Sequence, residues 1–202
     1  MRYRVSRFRP ARQIHSTGFT LIELLIVVVI VAIGIALALP SFEQVSQKRQ
    51  TTAEAEQLAA FLSLARSEAV KRNEQVGIDF NYIDATNWCV GAAIGTTYCD
   101  CTKPSGDSLY CEIDGARHIM NNSNFSKSQM VTSSSDSDNN FAFDPIRGSM
   151  SAADLADRLV ARNFVMESTS EEFRLLVEIT VVGRIRICNP DPTKKVPGYP
   201  DC

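Results

Sequence analysis

The chain has 202 residues, 45% of them hydrophobic and 22% charged. That balance suits one ordinary folded domain and excludes a disordered chain, a collagen-like fibre and a multi-pass membrane protein. The formal net charge is only −2, yet residues 1–18 hold five arginines (Arg2, Arg4, Arg7, Arg9, Arg12) and no acid.

Leu21–Leu39 reads LIELLIVVVIVAIGIALAL, nineteen residues with one charge, Glu23. As a helix rising ~1.5 Å per residue it is ~28 Å long, about the thickness of a bilayer's hydrocarbon core. A buried core helix would be shorter and amphipathic. The arginines ahead of it belong in the cytoplasm by the positive-inside rule, so the remainder is expected beyond the inner membrane. A secretory signal has its apolar core before the cleavage site. Here the candidate site, Gly18–Phe19, precedes the apolar run, so cutting there leaves the apolar helix on the mature chain. Without the leader, 16 cationic side chains face 23 acidic ones, a balance of −7.

The string GFTLIELLIVVVIVAI resembles the prepilin leader junction of type IV pilins and type II secretion pseudopilins. The resemblance implies that a dedicated inner-membrane prepilin peptidase cuts after Gly18 and methylates the new amine of Phe19. It also makes Glu23 the fifth mature residue. A carboxylate in hydrocarbon is costly and usually functional. Glu23 is expected to meet the Phe19 amine of its own or a neighbouring subunit during assembly, or else to be protonated. Pro40 lacks the N–H a helix needs, so a kink or a loosened turn is expected there, with Gly34 a second weak point.

From Ser41 to about Asn73 the helical pattern continues. Leu58, Phe61, Leu62, Ala65 and Ala69 form one apolar stripe. Glu54, Gln57, Ser67 and Lys71 are expected to face water, and Glu68 to pair with Arg72. The reading is therefore a leader (1–18), a transmembrane or filament-core half-helix (19–40), an amphipathic half-helix (41–73) and a β-rich head (74–202). The segment LAAFLSLARSEAVKRNEQVGIDF (58–80) resembles the GspH/FimT group of minor pilins and pseudopilins. That resemblance implies an α+β, type IV pilin-like fold, a long N-terminal helix packed on an antiparallel sheet with disulfides.

In the head, Gln75–Phe80 alternates as a half-buried strand. Asn87–Ile94, Leu109–Ile113, Arg117–Met120 and Asn140–Phe143 are further strand candidates, the last running into the turn DPIRG, similar to an F-x-P-x-G element of that group. Ala152–Ala161 reads as a short helix. Phe173–Val182 and Arg184–Cys188 read as strands joined in a tight hairpin at Gly183. Within the polar run VTSSSDSDNN (131–140), Asp136, Asp138 and Asn140 have calcium-loop spacing, but the glycine and terminal glutamate of such a loop are absent. A solvated loop is expected there, with no metal and no cofactor.

All six cysteines lie in the exported head, where an even number suggests disulfides. Cys188 and Cys202 are the natural C-terminal pair, closing the tail 188–202. Cys89, Cys99, Cys101 and Cys111 then pair in one of three ways. A Cys99–Cys101 ring would be strained, which favours joining each of these two to Cys89 or Cys111. The C-x-C spacing and exported location argue against zinc.

Period-two alternation in Arg184-Ile185-Arg186-Ile187 turns the isoleucines inward and both arginines outward, with Cα atoms ~6.6 Å apart. Such guanidiniums suit adjacent phosphates. Lys194 and Lys195 follow on the closed loop and make the tail locally basic. The string Gly183-Arg184-x-Arg186 resembles the G-R-x-R DNA-binding motif of FimT-type minor pilins that act in natural transformation. The expectation is weak, sequence-independent binding of double-stranded DNA, with four phosphate contacts giving a salt slope of roughly −3.6.

The alternatives are a minor pseudopilin of type II secretion, whose partners are other tip subunits or exported proteins, and a FimU-type subunit that primes pilus assembly. In each, the chain sits in the bacterial inner membrane with its head in the periplasm before entering a filament with other pilins. An enzyme is not expected. The chain has no G-x-S-x-G, no H-E-x-x-H and no phosphate-binding glycine loop, and its only histidines are His15 and His118.

Overall fold

The computed structural model describes residues 18–95, 99–131, 140–151 and 161–202. The arginine-rich leader, Asp136, Asp138 and all but the last residue of the helix expected at 152–161 lie outside the described residues. The chain divides into two compact units, one reaching Phe42 and one starting at Glu43. One helix, α1 (Leu21–Arg72), contributes to both.

In the first unit, Thr20 starts α1. Its Oγ1 accepts from the Glu23 N–H at 3.3 Å, satisfying one of the donors a helix start leaves open. The helix is long and apolar enough to cross a membrane, and none of its apolar stretch is buried within the chain. Such a surface needs lipid or sister helices to cover it. The helical backbone continues through Pro40. One turn earlier, the Ala38 carbonyl accepts from Ser41 Oγ at 2.9 Å.

In the second unit, α1 buries Ala55, Leu58, Leu62, Ala65 and Ala69, while Phe61 is half-buried. Glu54 departs from the expected pattern: it is fully buried, not solvent-facing. Three- and four-residue spacing puts it on the same face as Leu58 and Leu62, where an acid is easily read as the edge of the stripe. Its Oε2 accepts from Ser128 Oγ, and its buried Oε1 has no partner among the described residues. Burial drives the carboxyl up to about 7, against a smaller lowering by the serine. The helix stops at Asn73, which takes the left-handed conformation (φ 54°). The Glu74 N–H then reaches the Ala69 carbonyl at 3.2 Å and the Asn73 N–H reaches Val70 at 3.3 Å, the paired bonds of a Schellman end.

The strands are β1 (Val76–Asp84), β2 (Asn87–Ile94), β3 (Glu112–Ile113), β4 (Ala116–Arg117), β5 (Ile119–Asn121), β6 (Ser128–Val131), β7 (Phe141–Phe143), β8 (Met150–Ser151), β9 (Arg162–Ser168), β10 (Arg174–Ile179) and β11 (Ile185–Cys188). Among the described residues one sheet runs β5-β2-β1-β7-β8 and another β11-β10-β9-β6, with β3 and β4 forming a small ribbon. The named strand pairs are antiparallel. Phe80 of β1 and Phe164 of β9 touch with ring centroids 4.9 Å apart, so both sheets and the helix share one core. The class is α+β, a long N-terminal helix with antiparallel sheets and disulfides.

Several expected strands change. Leu109–Ile113 keeps only its last two residues as strand, and Arg117–Met120 divides between β4 and β5. Phe173–Val182 shortens to β10 because Thr180–Gly183 forms the hairpin turn, although Val181 and Val182 are strong strand formers. The 149–172 stretch, which the sequence leaves open as a decoration or contact surface, contains β8 and the interior strand β9. Strand β9 buries Arg162, Glu167 and Ser168 together with Phe164 and Met166, so its sequence lacks a clean polar and apolar alternation.

The six cysteines form Cys89–Cys101, Cys99–Cys111 and Cys188–Cys202. The first two interlock and hold the 99–111 segment against β2. Gly91 of β2 lies beneath them, and a Cβ there would come within 2.2 Å of Cys111 Sγ. Asp79 adds a further tie, its carboxylate accepting from the Cys101 N–H at 3.1 Å, and burial raises its pKa. In the tail, buried Asn189 is the organiser. Its Nδ2 donates to the Val196 and Tyr199 carbonyls at 3.3 and 2.7 Å, and its Oδ1 accepts from the Val196 N–H at 2.8 Å.

Candidate functional site

Three stretches distant in sequence meet at one end of the head: Ala65–Arg72 on α1, the D-P-I-R-G turn at 144–148, and the hairpin turn leading into Arg184. Asp144 shapes the second. Its Oδ1 accepts from the backbone N–H groups of Ile146 and Arg147 at 3.0 and 2.8 Å, and its carbonyl accepts from Gly148 at 2.9 Å. Thr180 shapes the third, accepting from the Gly183 N–H at 2.7 Å and donating to the Arg184 carbonyl at 2.9 Å.

Gly148 and Gly183 are where these turns touch. Gly183 has φ +77°, and a Cβ on it would fall 2.0 Å from the Gly148 carbonyl oxygen, so no other residue fits without moving backbone. That same carbonyl accepts from Arg66 Nε at 2.7 Å. Arg66 thereby fastens the helix to both turns, and the Met150 N–H adds a bond to the Val181 carbonyl at 3.0 Å.

The three stretches enclose an open groove of about 860 Å³. Among the described residues its walls carry four cations, Arg66, Lys71, Arg147 and Arg184, and no carboxylate. Val70, Ile146, Val182 and Ile185 supply its apolar surface. Ile146 and Val182 stand at the turn tips, 79% and 69% exposed. Exposed Lys71 is ion-paired to half-buried Glu68 at 3.3 Å, but that carboxylate belongs chiefly to Arg72, whose hydrogen bond is the main cause of its lowered pKa. The guanidiniums of Arg147 and Arg184 have no hydrogen-bond or ion-pair partner among the described residues.

Arg184 and Arg186 are both exposed, while Ile185 and Ile187 are half-buried. The two arginines nonetheless differ. Arg186 lies opposite Glu178 in the β10–β11 ladder and is ion-paired to it. Lys194 contacts Glu167 at 2.8 Å and Glu171 at 3.9 Å, and Lys195 contacts Asp201 at 2.7 Å. Lys194 is also displaced from the groove. Its carbonyl accepts from Arg174 at the start of β10, whereas Arg184 follows the far end of that strand. Five residue steps of ~3.3 Å separate those ends by ~17 Å. The four tail bases expected to act together therefore do not form one cluster. Arg66, Lys71 and Arg147, which carry the other charges beside Arg184, sit in motifs that the sequence offers only as fold markers.

Of the remaining singled-out residues, Gly18 and Phe19 are exposed ahead of α1, and Glu23 is exposed in its first turn. Asn140 turns its Oδ1 to the Phe80 N–H at 2.9 Å. His118 is held through its backbone between Cys111 and Ala92.

Comparison with known proteins gives the family. The family described as type II transport protein GspH matches residues 54–183, and the prokaryotic N-terminal methylation motif matches residues 15–39. The chain belongs to the GspH family and is pilin- and pseudopilin-like, a class of structural subunits. Type II secretion system protein H of Pseudomonas aeruginosa is 43% identical over 63 residues, which are 31% of this chain. The match covers 37% of that relative's own length. Two crystal structures of the P. aeruginosa type IV minor pilin FimU align at 19% and 18% identity, with TM-scores of 0.44 and 0.45. They cover 73% and 76% of this chain and 98% and 97% of theirs.

Proposed function

We propose that this chain is a minor type IV pilin that binds extracellular DNA without sequence preference during natural transformation. A prepilin peptidase cuts after Gly18 and methylates Phe19, and α1 anchors the subunit in the inner membrane with its head in the periplasm. Glu23 then guides side-by-side packing with other pilins. The observation that carries the DNA reading is Arg184, an exposed guanidinium set in a groove where, among the described residues, it has no partner and the walls hold four cations and no carboxylate. Phosphates are hydrogen-bonded well by arginine, and contacts of this kind hold a duplex without reading its bases. Arg186, Lys194 and Lys195 add positive potential along the hairpin and tail, each tempered by its acidic neighbour. The test is a gel shift with detergent-solubilised protein. Replacing Arg184 and Arg186 together by glutamine is expected to abolish the shift, with the head still folded. An unchanged shift overturns the reading.

A second reading, a minor pseudopilin of type II secretion, is favoured by the likeness to the secretion protein of P. aeruginosa. In that case the exposed Ile146 and Val182 would meet another subunit. A deletion strain assayed for transformation, piliation and protein secretion separates the two, because only the first reading expects transformation to be lost with secretion intact.

A further inference from the structure

We infer that Arg147, at the tip of the 144–148 turn, is a further phosphate-binding guanidinium beside Arg184, more available than Arg186, which is tied to Glu178. This inference rests on the DNA reading above and says which side chains carry it out.

Charge availability comes first. A phosphate approaching Arg186 meets Glu178 at the same ladder position, already bonded to Nε of that arginine. A carboxylate so close cancels most of the attraction at a distance and competes for the same donors. Arg147 has no such rival. It is exposed, its backbone N–H is fixed by Asp144, and no wall residue of the groove among the described residues is acidic.

Geometry comes second. The Arg147 turn and the Arg184 turn meet through Gly148 and Gly183, each the immediate neighbour of its arginine. Arg66 locks that meeting point from α1. The two arginines thus spring from adjoining, backbone-braced turns and line one groove. A single polyanion can span both, whereas Lys194 lies ~17 Å of strand away. Lys71 lines the same groove from α1 and adds a third, weaker phosphate partner, since its own head is exposed and Glu68 keeps Arg72 as a partner when Lys71 leaves. The aliphatic tips Ile146 and Val182 limit water beside the arginines and suit the sugar edge of the backbone.

The experiment is fluorescence anisotropy of a labelled duplex of about 30 base pairs with the full chain in detergent, titrated with NaCl. Removing one phosphate-binding cation lowers the salt slope by ~0.9. Arg147→Gln and Arg184→Gln are each expected to weaken binding about tenfold and to flatten the slope by that amount. Arg147→Lys is expected to keep the slope. Arg186→Gln, which removes a cation already shared with Glu178, is expected to weaken binding and flatten the slope less than Arg147→Gln does. Trp88 fluorescence checks folding in every variant. Wild-type binding retained in Arg147→Gln, or a larger loss in Arg186→Gln than in Arg147→Gln, overturns this inference and leaves the DNA reading standing. A wild-type chain that fails to bind the duplex even at low salt overturns the DNA reading itself.

Discussion

Glu54 provides a quantitative test of how the helix is held to the sheet. The side chain is fully buried, its Oε2 accepts from Ser128, and its Oε1 has no partner among the described residues. Burial raises the carboxyl from 4.5 to about 7 in the folded protein. An acid with a raised folded pKa stabilises the fold fully below its unfolded pKa and loses that contribution as pH rises through the folded one. Between those values the unfolded chain releases the proton first, so stability falls by ~1.4 kcal/mol per pH unit and by ~3 kcal/mol in all. Glu54→Gln removes the titration but leaves an amide N–H₂ where Oε1 was, an orphan costing ~1–3 kcal/mol. The variant is therefore expected to be less stable than wild type at pH 5 and equal or more stable at pH 8. Urea unfolding in detergent can be followed by Trp88, the single tryptophan, which is itself buried. Other groups titrate in both proteins, Asp79 among them, so the difference between the two curves is the quantity that isolates Glu54. A difference that stays flat from pH 4.5 to 8 refutes the reasoning.

Other substitutions test the remaining supports. Gly183→Ala forces a side chain against the Gly148 carbonyl at a left-handed position and should cost ~3 kcal/mol or more in thermal melts, with DNA binding falling as the groove distorts. Asn189→Ala deletes three hydrogen bonds inside the tail and should cost ~2–4 kcal/mol by denaturant unfolding. Replacing Cys188 and Cys202 by serine opens a loop with a sequence separation of 14 and should cost ~3 kcal/mol in the chain-entropy account, read as a lower melting temperature without reductant. Lys194→Gln leaves the nearly buried Glu167 with Arg174 as its remaining cation, so it should lower stability more than it lowers duplex affinity.

The legible parts of this fold are those written in short-range patterns. The membrane-long apolar run, the stripe from Leu58 to Ala69 and strands β1, β2 and β11 all follow from three-, four- or two-residue periodicity. Strand β9 escapes because an interior strand in this head buries Arg162, Glu167 and Ser168, and buried polar residues erase the alternation that marks a strand. The over-long Phe173–Val182 strand has the opposite cause. Val181 and Val182 have the right propensity, yet the Thr180 and Gly183 hydrogen bonds turn the chain at that point. Local preference yields there to closure of the hairpin.

The site follows the same division. Arg184 and Gly183 can be read as a motif, but the reason for the glycine lies 35 residues upstream, in the carbonyl of Gly148, and the brace for both lies on a helix arginine further away still. Charge partners are equally non-local. Nothing within the string Arg184–Cys188 reveals that Arg186 faces Glu178, because that pairing depends on the register of β10 against β11. A count of basic residues in the tail thus overstates the charge free to meet a polyanion, and a count confined to the tail misses Arg147 and Lys71. Three strings that each look like a fold marker acquire a chemistry only where they meet, since the junction of two glycine turns sets on one groove two guanidiniums that have no partner among the described residues.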